Sequence, residues 1–174
     1  MSRLAVRFFL AAVSAVAFCM SARAEDAAVL RGKFLVTIAG CSDCHTPGHF
    51  LGHADMARYL GGSDVGFATP GGVFVGPNLT PDAATGLGNW TSAQIVTAMT
   101  TGERPDGRVL APIMPWRNLA ELSGPDALAI AAYLKSLPAV SNAVPGPFGP
   151  GEAPTVFVMS VLPGAVYAGL PKPH

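Results

Sequence analysis

Cys41-Ser42-Asp43-Cys44-His45 decides how the rest of the chain is read. Two thiols separated by two residues and followed at once by an imidazole form the pattern of c-type haem attachment. The spacing has a chemical reason. Two cysteines add across the two vinyl groups of one porphyrin, so both sulfurs must reach the same edge of the ring. A histidine directly after the second sits beneath the ring and can ligate iron. The competing readings are a thioredoxin-like redox pair and half of a zinc site. A redox pair wants a βαβ context, and none is visible. A zinc site wants a second pair of ligands, and the one other cysteine, Cys19, falls in the leader.

Residues 1–24 read as a secretory signal peptide. Arg3 and Arg7 give a positive start, Phe8 to Met20 an apolar stretch, and Ala22-Arg23-Ala24 a small-x-small site before Glu25. The apolar stretch is short for a membrane span of ~20 residues. Phe18 is too bulky to precede an acylated cysteine, which argues against lipidation of Cys19. Cleavage then leaves 150 of the 174 residues, enough for one modest domain, delivered to the periplasm with no transmembrane anchor. Three arginines leave with the leader, so Lys plus Arg falls from 11 to 8 against 11 Asp plus Glu, a net charge near −3. That balance argues against a nucleic-acid partner. Both remaining cysteines lie in the motif, so no disulfide is expected.

Upstream of the motif, 26–39 reads as a helix with Val29, Phe34, Leu35 and Ile38 on its apolar face, stopped by Gly40. Downstream, 46–77 is rich in glycine turns and reads as a long loop wrapping the haem edge, with Val73-Phe74-Val75 a short strand or merely extended. Thr91 to Thr101 forms a second helix: Thr91 and Gln94 make a capping box, Ile95, Val96 and Met99 the buried side, and Gly102 the stop. Ser123 to Leu137 forms a third, capped by Ser123, with Pro125 in its first turn and Pro138 at its end. Leu128, Ala131, Leu134 and Leu137 recur at helical spacing. Beyond Pro138 the chain is rich in proline and glycine and reads as extended. Thr155 to Leu162 reads as an apolar strand, too short to span a membrane. The expected division is 1–24 leader, 25–138 haem domain and 139–174 tail.

What opposes His45 across the iron separates electron transfer from catalysis or gas binding. The candidates are Met56, Met99, Met114, Met159, His49, His53 and His174. Met114 is favoured because Pro112 and Pro115 flank it and stiffen the backbone, which suits a weak thioether ligand. The alternative is that Met114 simply fills the core. His45, His49 and His53 stand four apart, but Pro47-Gly48 and Gly52 argue against the helix that would align them on a second metal.

The chain resembles the class I cytochromes c. More narrowly, it is similar to the haem domains in cytochrome subunits of bacterial membrane-bound alcohol, aldehyde and gluconate dehydrogenases. The resemblance runs from Gly40 to Thr46 through Asn78-Leu79-Thr80-Pro81-Asp82, Thr85-Gly86-Leu87-Gly88-Asn89-Trp90, Arg104-Pro105-Asp106-Gly107 and Met114-Pro115-Trp116 to Ala129-Ile130-Ala131-Ala132-Tyr133-Leu134. It implies an all-α fold of three to five helices around one covalent haem c, with long glycine-rich loops and a proline-rich tail. It also implies His45 as proximal ligand and Met114 as distal ligand. Gly76-Pro77-Asn78-Leu79 is similar to a mitochondrial-type segment in which the proline carbonyl accepts a hydrogen bond from the proximal histidine and the leucine packs on the haem. Carried over, Pro77 orients His45 and Leu79 touches the porphyrin. Trp90, Arg104 and Arg108 are candidates for the propionate side, the alternatives being an ordinary core tryptophan and solvated charges. The subunits it resembles carry three haem motifs where this chain has one.

The function expected on these grounds is a periplasmic monohaem carrier rather than an enzyme. It would take single electrons from a periplasmic dehydrogenase and pass them to an oxidase or another cytochrome. The alternatives are a fixed electron-transfer subunit, with the tail as a docking arm or folded back on its own domain, and an open-iron sensor or peroxidase.

Overall fold

The computed structural model describes residues 26–171; the expected leader, Cys19 within it, and His174 lie outside them. In chain order the helices are α1 over 26–38, α2 Cys41–His45, α3 Ser92–Thr101, α4 Trp116–Leu119, α5 Gly124–Ser136 and α6 Gly164–Ala168. The strands are β1 Val65–Thr69, β2 Gly72–Val75 and β3 Phe157–Met159. Contacts divide the chain into two interleaved units. Among the described residues, one holds 26–39 with Trp90–Leu110 and Pro115–Pro138; the other holds Gly40–Asn89, Ala111–Met114 and 139–171.

The first unit contains α1, α3, α4 and α5. Its tightest approach is at Gly32, where a Cβ would stand 1.9 Å from the Ala129 carbonyl oxygen of α5. That crossing fixes the face α1 buries, and it corrects the sequence expectation. Gly32, Leu35 and Val36 are buried, whereas Phe34 and Ile38 are exposed. Periodicity alone set Val29, Phe34, Leu35 and Ile38 on one apolar face; the contact at Gly32 turns Leu35 and Val36 inward instead, because only a residue without a side chain lets the backbones meet. Full burial of Leu35 and Val36 contributes about 1.5–3 kcal/mol each. The Arg31 guanidinium grips Asp126 at the start of α5 through two bonds of 2.8 and 3.1 Å. The expected capping box at Thr91 and Gln94 is present, and Gly102 ends α3 at φ 80°. Ser123 caps α5 by accepting from the Asp126 amide. Of the residues at helical spacing Ala131 and Leu134 are buried and Leu128 is exposed; Ala127 and Ile130 complete the buried face.

The second unit overturns the all-α expectation. Helical residues make up 38 % of the described chain, and a three-stranded sheet in the order β2-β1-β3 accompanies them. β1 and β2 form an antiparallel hairpin with Phe67 opposite Phe74, and β3 joins β1 in parallel. The hairpin forms because β-branched and aromatic residues flank Thr69-Pro70-Gly71-Gly72. In that turn the Thr69 hydroxyl accepts from the Gly71 amide and donates to the Gly72 carbonyl. Val73-Phe74-Val75 is a strand, one of the two readings the sequence offered, and forms β2; the density of glycine in 46–77 disguised its partner β1 as loop. Helix formation also stays minor here: α2 has five residues, and the only other helical turns before β1 are single 3₁₀ turns at His49–Leu51 and Met56–Arg58.

The base of the tail is bound to this unit rather than trailing from it. Val140 accepts from the Asn78 side chain and donates to the Thr80 hydroxyl, and the Asn142 side chain donates to the Gly61 carbonyl. Phe148 bridges to Val73 through paired backbone bonds. The expected strand over Thr155–Leu162 shrinks to three residues, since Pro154 and Pro163 remove amides near each end.

Candidate functional site

The site grows from α2. Gly40 enters it at φ 64°, a backbone conformation that glycine adopts freely. One helical turn then carries Cys41, Cys44 and His45. Both cysteines are free and half-buried. Burial pushes the Cys41 thiol up to about 11 and raises Cys44 as well. A thioredoxin-like pair needs a lowered thiol pKa to react as thiolate. These two are shifted the other way, which speaks against that alternative.

His45 is buried, and its Nδ1 lies 2.8 Å from the Pro77 carbonyl oxygen. A carbonyl only accepts, so Nδ1 carries the proton and the Nε2 lone pair is left for a metal. Burial lowers the imidazole pKa, which keeps the ring neutral as ligation requires. Close approach is needed here too. A Cβ on Gly76 would stand 1.8 Å from the Cys44 carbonyl oxygen and 3.3 Å from His45 Nδ1. The sequence reading gave Pro77 a role and its neighbour Gly76 none, since the Cys44 carbonyl that requires a glycine there lies far along the chain.

The segments on either side of the His45–Pro77 bond are tied to each other. The Gly62 amide donates to the His45 carbonyl at 2.8 Å, and the Ser63 amide to the Gly76 carbonyl at 2.9 Å. The Thr46 hydroxyl accepts from the Leu60 amide at 3.0 Å, and the Leu60 carbonyl accepts from the Leu79 amide at 2.9 Å. Leu60 is fully buried at φ 57°, the one described non-glycine residue in the left-handed region. Asn78 and Thr80 are buried beside Leu79 and hold the Val140 backbone. Leu79 itself is half-buried.

Met114 is half-buried and closes a turn in which its amide donates to the Ala111 carbonyl at 3.0 Å, with Pro112 at the second position. It belongs to the same unit as Cys41, Cys44, His45, Pro77 and Leu79. Trp90 and Arg104 belong to the other unit, where the Arg104 guanidinium lies 5.2 Å from the Trp90 ring centre and 3.4 Å from Asp106. Arg108 is bonded to Asp106 at 2.8 Å. His49 faces Asp43 at 3.6 Å, and His53 bonds to the Leu51 carbonyl. Trp116 was not singled out as a site residue. Its ring packs on Gly102, Arg117 lies 4.3 Å from the ring centre, and its buried Nε1 has no acceptor among the described residues.

The donor set fits haem c: two neutral thiols one turn apart and a neutral imidazole with its outer nitrogen fixed by a carbonyl. The family model described as Cytochrome c matches residues 29–138. The chain is 33% identical over 110 residues to an alcohol dehydrogenase (quinone) cytochrome c subunit of Gluconobacter oxydans (strain 621H), covering 63% of this chain and 21% of that protein. It is 36% identical over 115 residues to a diheme cytochrome c-type protein of Cereibacter sphaeroides, covering 63% and 36%. It is 34% identical over 111 residues to a gluconate 2-dehydrogenase cytochrome c subunit of Pantoea cypripedii, covering 64% and 23%. The chain thus spans between about a fifth and a third of the length of these relatives.

Proposed function

The chain belongs to the cytochrome c family, which carries covalent haem c, and from that premise we propose that it is a periplasmic monohaem carrier of single electrons. The donor is a dehydrogenase and the acceptor a respiratory oxidase or a second cytochrome. The single observation that carries the reading is the bond between His45 Nδ1 and the Pro77 oxygen, 2.8 Å long. It leaves one nitrogen of a buried, neutral histidine for iron and removes the freedom of the ring to rotate. A ligand so held changes little between oxidation states, which is what fast electron transfer needs.

Haem c supplies the one-electron couple. In this assignment Cys41 and Cys44 tether it, His45 ligates iron on one side and Met114 on the other. Pro77 sets the His45 tautomer and raises its basicity. Leu79 packs against the porphyrin. Residues 1–24 direct export and are removed. The dehydrogenase donor rests on the relatives, several of which are cytochrome subunits of such enzymes.

The optical spectrum of the ferric holoprotein tests the ligand set. A weak far-red iron–thioether band is expected in the wild type and is expected to vanish in Met114→Ala. A wild type without the band would overturn the closed His/Met site. A band that persists in the variant would move the distal ligand to another methionine.

A further inference from the structure

The tail divides into two parts with opposite characters. Residues 140–148 are bonded into the second unit, as described above. From Phe157 onward the side chains turn outward. Phe157 is 63% exposed, Val161 fully exposed and Tyr167 71% exposed; Val158, Met159, Leu162, Val166 and Leu170 are all exposed as well. No charged residue occurs between Glu152 and Lys172. β3 is the last strand of its sheet, so among the described residues its outer edge pairs with nothing. A soluble chain seldom leaves a contiguous apolar segment and an open strand edge in water. The segment also lies outside the family-matched residues 29–138.

We infer that residues 157–170 are a docking arm for the catalytic subunit of the dehydrogenase that donates the electrons. β3 adds to an exposed sheet edge of that subunit, and the side chains from Val161 to Leu170 enter an apolar groove beside it. This rests on the dehydrogenase donor proposed above. Two physical arguments select the occupant. The bilayer core is excluded because it cannot satisfy an open strand edge, nor the backbone interrupted at Pro163 between β3 and α6. A second copy is disfavoured by area. A stable interface buries ~800 Å² and about 20–30 residues on each side. Two arms paired about a twofold axis would cover one edge of a fourteen-residue segment and leave its other faces wet. A groove on a larger partner covers edge and faces together.

The test uses the full holoprotein in its own host, with a photo-crosslinking residue replacing Tyr167 and, as control, the exposed Leu128 of α5. At position 167 the expected product is a crosslink to a polypeptide that, in the same preparation, oxidises a substrate and reduces the haem. A crosslink only between two copies, only to lipid, or no crosslink at all overturns the arm. In parallel, the triple variant Val161→Glu, Val166→Glu, Tyr167→Glu changes only exposed side chains. It is expected to keep the wild-type haem spectrum and Tm while co-purification of the dehydrogenase falls at least tenfold. Equal recovery with wild type and variant refutes the arm but leaves the donor assignment standing. A wild-type haem that no dehydrogenase fraction reduces refutes the donor assignment itself.

Discussion

The two units are held together by different forces. In the first, helices bury apolar side chains, and the packing centres on Gly32 against Ala129. In the second, a five-residue helix, too short to be stable alone, is held by directional bonds from loop backbone: Gly62 to His45, Leu60 to Thr46, and His45 to Pro77. Packing by area tolerates small shifts, since neighbouring side chains can re-adjust. Hydrogen bonds tolerate little, because their strength falls steeply with distance and angle. A protein that must hold a ligand atom in place is expected to use the second kind of support around it, and the residues near His45 do.

The sharpest way to break this contrast is to add one methyl group in each unit. Gly32→Ala and Gly76→Ala both drive a Cβ to within 2 Å of a carbonyl oxygen, at 1.9 and 1.8 Å. Each should cost on the order of 3 kcal/mol or more, seen as a lower Tm. Only Gly76→Ala should also move the reduction potential and the far-red band, because it pushes Pro77 away from His45. If Gly32→Ala shifts the potential as much, or Gly76→Ala does not shift it, the division between area-held and bond-held regions is wrong.

A smaller effect separates the hydroxyl from the side chain that carries it. Thr46→Val keeps the shape but removes the acceptor for the Leu60 amide, which is buried and strained at φ 57°. An orphaned buried amide costs about 1–3 kcal/mol. Leu60 in turn holds Leu79 through its carbonyl, so the variant should loosen the Pro77 segment and shift the potential. Thr46→Ser restores the acceptor and should recover both Tm and potential. Equal values for Val and Ser would mean that the hydroxyl contributes nothing.

The features legible in the sequence were the local ones. Cys41 to His45, the caps at Thr91 and Ser123, and the stop at Gly102 each depend on residues within one or two turns, so their patterns carry their own explanation. The face of α1 was misread because the deciding contact, Gly32 on Ala129, lies far along the chain. The hairpin was hidden because the glycines that permit its tight turn also lower strand propensity. Pro77 was found through resemblance, whereas Gly76, which lets it approach, is visible only once Cys44 stands beside it. Trp90 and Arg104 were each noted, but not that one lies over the other. Nor could spacing show that the tail is bound at its base and open at its end.

Exposed charges in the first unit should matter least, and pH gives the measure. Asp106 is held at about 2, first by its bond to the Arg108 guanidinium and then by Arg104 nearby. A carboxyl whose folded pKa lies below its ordinary value of about 4 adds stability that is complete above that value. The contribution fades as pH falls through about 2, where the folded-state carboxyl protonates. In Asp106→Asn no such group titrates. The Tm difference between wild type and Asp106→Asn should therefore be constant at neutral pH and shrink between about pH 4 and 2. The pair is solvent-exposed, so the difference should be the smallest of the three effects and should diminish further in high salt. A difference that grows on acidification would have the wrong sign for this linkage. One as large as that of Gly32→Ala would mean that charge, and not buried area, holds the first unit together.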